Sequence, residues 1–76
     1  MTHQEIVNSL PELSLRVNNL KGKHYNGCGF HYSMVNTLSY LLEEASCELD
    51  LERSILFEVS YEDLVEQVTA AENSVG

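Results

Sequence analysis

The sequence predicts a small α+β domain in which a single-layer antiparallel sheet of two or three strands packs against two amphipathic helices, with an all-α arrangement as the rival. Three observations lead there. Leu13, Leu15 and Val17 alternate with polar residues, as a half-buried strand does. Ile55, Phe57 and Val59 form a second alternating run, β-branched and aromatic, that reads as a mostly buried strand. Two other stretches, near residues 34–49 and 60–71, place their apolar residues on one side at helical spacing.

Along the chain, Thr2 followed by Glu5 is a capping-box signature, and Ile6, Val7 and Leu10 continue it, so a short helix is expected over residues 3–9. Pro11 is expected to end it, because proline cannot donate to the helical ladder. Residues 13–20 then read as a strand, although Leu10, Leu13, Val17 and Leu20 also fit one helix face and Ser9-Leu10-Pro11-Glu12 is an acceptable helix start. Lys21-Gly22 is either a turn or a helix stop. Residues 22–31 hold three of the four glycines and read as a loop or a bulged hairpin arm. Ser33 is placed to cap a helix over residues 34–49, whose Met34, Val35, Leu38, Leu41, Leu42, Ala45 and Leu49 lie within an arc of about 120°. After the second strand, Ser60 caps a last helix carrying Tyr61, Leu64, Val65, Val68 and Ala71 on its inner side.

The 76 residues allow one domain with one modest core, since a chain this short buries only about 60% of its unfolded surface. Apolar residues make up 43% of it, too many for a disordered acidic tail. No apolar run approaches the roughly 18 residues of a membrane span, and the first residues lack the basic-then-apolar pattern of a leader, so a soluble protein is expected, cytoplasmic or virion-borne. Two cysteines do not make a disulfide framework and are expected to be reduced. The net charge of −8 is unevenly spread. Residues 1–42 set Glu5 and Glu12 against Arg16, Lys21 and Lys23, for +1; residues 43–76 set ten carboxylates against Arg53, for −9. The second half repels phosphate backbones and anionic membranes.

Chemistry could reside in His24, Cys28 and His31, whose spacing in a glycine-rich segment suits zinc. A helix over 34–49 carries Cys47 about 20 Å from its start, so a fourth ligand would have to be His3 or a carboxylate. Cys28 also stands shortly before a helix N-terminus, where a thiolate is favoured, with His24 and His31 as nearby bases. Gly27-Cys28-Gly29-Phe30-His31 resembles the cysteine box of ovarian-tumour-type cysteine proteases over about ten residues. It lacks the aspartate such boxes carry before the cysteine, and no histidine follows residue 31. The resemblance would imply a minimal cysteine-dependent enzyme built on Cys28; inert cysteine and loop histidines are the plainer reading.

The acidic half points to binding rather than turnover. Glu44, Glu48 and Glu52 fall at i, i+4 and i+8 if the middle helix runs on, and Glu62, Asp63 and Glu66 line the outer side of the last helix. Tyr40 lies off the apolar arc of the middle helix, as an interface tyrosine would. The expectation is a non-enzymatic, cofactor-free module that docks stoichiometrically on a protein with a basic surface or nucleic-acid-binding groove, through Tyr40, Glu44, Glu48, Glu62, Asp63 and Glu66. Phage inhibitors of host defence, of the anti-CRISPR or anti-restriction kind, and antitoxins share this size and acidity. A homodimer is a further expectation, since a short chain gains buried apolar area that way.

Overall fold

The computed structural model describes residues 2–23 and 30–75 and contains three helices: α1 (His3–Asn19), α2 (Phe30–Ala45) and α3 (Leu51–Ser74). Among the described residues there is no strand, so the expected α+β sheet is replaced by its all-α rival, a three-helix bundle measuring 40 × 19 × 18 Å.

The reason lies in which residues the core takes. Ile6, Leu10, Leu13, Val17 and Leu20 are buried from α1 and the residue that caps it; Met34, Leu38 and Leu41 from α2; Phe57, Tyr61, Leu64, Val68 and Ala71 from α3. Each set advances by alternating steps of four and three residues, the seam along which helices pack together. The alternation that suggested strands is incidental. Leu13 and Val17 are buried but Leu15 between them is 60% exposed, and Phe57 is 1% exposed between Ile55 at 55% and Val59 at 56%.

Local signals fix the ends. The Thr2 hydroxyl accepts from the Glu5 backbone N–H at 3.2 Å, as the capping signature predicts. Pro11 does not end α1: it sits exposed inside the helix, and the apolar seam runs through it unbroken. Burial of Leu13, Val17 and Leu20 outweighs the roughly 3 kcal/mol that an interior proline costs. After Asn19 the chain leaves the helix with Gly22 at φ +78°; a side chain there would meet nothing within 4 Å, so the dihedral alone asks for glycine. The middle helix starts earlier than Ser33 and stops at Ala45 rather than 49. The last helix is capped ten residues before the expected Ser60, at Asp50, whose carboxylate accepts from the Arg53 backbone N–H at 2.8 Å. Its carboxylate charge also suits the positive end of the helix dipole.

Polar contacts from Ser9 and Arg16 tie α1 to α3. The Ser9 and Tyr61 hydroxyls are 2.9 Å apart, and Ser9 Oγ is also 2.9 Å from the Ile6 carbonyl. With one proton on each hydroxyl, both contacts are satisfied when Ser9 donates to the carbonyl and accepts from Tyr61. Tyr61→Phe is therefore expected to cost about 1 kcal/mol, because the Ser9 acceptor loses its partner at a half-buried position. Urea unfolding measures this, and an unchanged midpoint would show that the hydroxyls contribute nothing. At the other end, Arg16 grips Glu72 with two bonds of 2.6 and 3.2 Å. Hydrogen bonding to Arg16 lowers the Glu72 carboxyl below its ordinary value, so this contribution is present above that value and fades as pH falls through the lowered one. Both side chains are about one-third exposed, which keeps it small.

Candidate functional site

Because the core takes one seam of α3, the opposite side of that helix is left to solvent. Leu51, Ile55 and Val59 follow one another at i, i+4 and i+8 and are 78, 55 and 56% exposed. Leu56, 54% exposed, adjoins them on the side of α2. There it lines a shallow groove of about 360 Å³ with Ser60 of α3 and Asn36, Thr37 and Tyr40 of α2. Continuing along the same outer side, steps of three and four residues lead from Val59 to Glu62 and Glu66, both exposed, with exposed Asp63 beside them. The face is thus apolar over its first half and anionic over its second. Ile55 and Val59, expected in a mostly buried strand, lie exposed on a helix together with Leu51 and Leu56. The signal that places them outside is the seam Tyr61, Leu64, Val68, Ala71 extended backward, which reaches Phe57 and passes them by.

The residues expected to bind a partner divide into two groups. Glu62, Asp63, Glu66 and the half-buried Tyr40 lie on or beside the face just described; Asp63 also accepts from the Gln67 side-chain amide at 3.0 Å. Glu44 is engaged elsewhere: its side chain is 14% exposed and ion-paired with Arg53, whose guanidinium is held above its ordinary pKa by that hydrogen bond. The proposed stripe of Glu44, Glu48 and Glu52 is broken, because α2 stops at Ala45, Glu48 lies exposed in the connection and Glu52 belongs to α3. Two of the four basic side chains, Arg16 and Arg53, are committed to Glu72 and Glu44, and neither pair reaches Glu62, Asp63 or Glu66.

Of the metal and thiol candidates, His24 and Cys28 lie outside the described residues, as does most of the protease-like segment. His31 is in the first turn of α2, half-buried, and its Nε2 has no hydrogen-bond partner among the described residues. Among those residues no three His, Cys, Asp or Glu side chains converge as a metal site would need. Cys47 is exposed just after α2 and not disulfide-bonded, its thiol 3.4 Å from the Glu43 carbonyl. No helix among the described residues is long and apolar enough to cross a membrane. No protein-family model matches the chain, and neither the curated proteins nor the solved structures contain a significant match to it.

Proposed function

We propose that the protein acts by stoichiometric binding to another protein, docking the outer face of α3 on a basic surface and thereby occluding it. The observation that carries this reading is the placement of Glu62, Asp63 and Glu66 together on an exposed helix face in a half-chain of charge −9, with both arginines bound elsewhere. Such a face raises the local concentration of cationic partners and repels phosphate backbones, which favours a protein over a nucleic acid. Tyr40 and Leu56 beside it supply the apolar contact that charge alone lacks. Inhibition of a nucleic-acid-binding protein by covering its groove is the activity this chemistry suits best.

The test is a paired affinity purification with quantitative mass spectrometry, wild type against Glu62→Lys/Glu66→Lys. The expected result is one stoichiometric, basic partner whose affinity falls at least tenfold in the variant, while the melting temperature of the exposed-site variant stays close to wild type. Retention of the same partner with unchanged affinity would overturn the reading.

A further inference from the structure

The first half of the α3 outer face is apolar, and charge repulsion alone does not explain what it meets. Its spacing is informative: Ile55, Val59, Glu62 and Glu66 advance by four, three and four residues, as do the three seams inside the bundle, and Leu51 extends the line one turn earlier. A straight line of this spacing is complementary to another helix, which sets its own ridge into the gaps. From Leu51 to Glu66 it runs about 22 Å, enough for some 15 residues of a helical partner.

A second copy of this chain fits poorly. Parallel pairing opposes Glu62 to Glu62 and Glu66 to Glu66, so like charges meet. Antiparallel pairing centred on Ile55 sets Leu51 against Val59 and carries Glu62 and Glu66 past the start of the second copy's α3 at Leu51, which leaves them outside the pairing. Four apolar side chains also fall well short of the about 800 Å² per partner that a stable interface covers, so the acidic half has to take part.

We infer that α3 receives a fourth helix from a partner protein, an amphipathic segment polarised along its length, with apolar residues over Leu51, Ile55 and Val59 and lysines or arginines over Glu62 and Glu66. Leu56 and Tyr40 form its edge on the α2 side. This rests on the reading above and adds the shape and sequence pattern of the occupant.

The test uses the full chain and two synthetic 16-residue helical peptides of identical composition. In one, leucines occupy the heptad positions of one half and lysines those of the other; in the second, leucine and lysine alternate along the seam. The blocked peptide is expected to bind about tenfold or more tightly than the alternating one by fluorescence anisotropy. Ile55→Ser/Val59→Ser is expected to remove about tenfold of that affinity, and Leu15→Ser on α1 to change nothing. Equal affinity of the two peptides, or no binding by either, overturns the inference. Weakening by Glu62→Lys/Glu66→Lys without any effect of Ile55→Ser/Val59→Ser overturns the helical seam and leaves the acidic docking face standing. The converse pattern removes the acidic reading and the polarised helix together. If the protein alone sediments as a dimer that Ile55→Ser/Val59→Ser dissociates, the face belongs to a second copy and the inference fails.

Discussion

Alanine substitutions at residues 55, 57 and 59 are expected to differ widely in cost, with Phe57→Ala lowering stability by about 3–5 kcal/mol and Ile55→Ala and Val59→Ala by less than about 0.5 kcal/mol. Phe57 is 1% exposed, lies in the central cluster and has its ring 4.9 Å from that of His3, so its truncation opens a cavity where α1 begins against α3. A domain of 76 residues has a total stability of about 4–11 kcal/mol, of which that loss is a large part. The melting temperature of Phe57→Ala should fall by roughly 15–30 °C, and the protein should be partly unfolded at 37 °C. Ile55 and Val59 face solvent, and alanine is a better helix former than either, which offsets what little packing they lose. Urea midpoints of the three variants decide between helix and strand. In a strand of alternating burial all three side chains share one face, so comparable losses at 55, 57 and 59 would restore the β reading and remove the docking face on α3.

That contrast also explains what the residues disclosed in advance. The helical parts of α2 and of α3 beyond Ser60 were legible because Met34, Leu38, Leu41 and Leu64, Val68, Ala71 repeat with intervals that only a helix can place on one side. The Thr2 cap was legible because its chemistry is local. Residues 13–20 and 55–59 were not, because a run with apolar residues at both helical and alternating positions fits either period, and the decision belongs to the core it packs into. At 55–59 the ambiguity has a structural cause. A helix that buries Phe57 while Ile55, Leu56 and Val59 stay exposed is apolar on more than one side there, and so loses the one-sided pattern that marks a surface helix. The acidic half of the site was visible as Glu62, Asp63 and Glu66 because carboxylates seldom enter a core. Its apolar half was hidden in plain composition, and Glu44 was misplaced because sequence spacing alone does not reveal Arg53 across the connection.

Replacing Pro11 with alanine is expected to stabilise the protein by about 1–2.5 kcal/mol. Pro11 is the ninth residue of α1, too far inside for the first-turn positions where a missing N–H goes unnoticed. It denies the Val7 carbonyl its helical partner, and its ring crowds that carbonyl. Alanine restores the donor and has the highest helix propensity, a gain of up to about 3 kcal/mol; the freer unfolded chain takes back about 0.4–1 kcal/mol. The position is exposed, so the smaller side chain opens no cavity. The melting temperature should rise by roughly 5–15 °C. Hydrogen exchange at those amides following residue 11 that exchange only on global unfolding should slow in the same proportion. An unchanged or lowered melting temperature would mean that the packing of Leu13, Val17 and Leu20 against α2 and α3 depends on the backbone geometry proline favours. In that event the second half of α1 depends on the proline for its packing, and Pro11→Ala should bring a matching loss of protection at Val17 and Leu20.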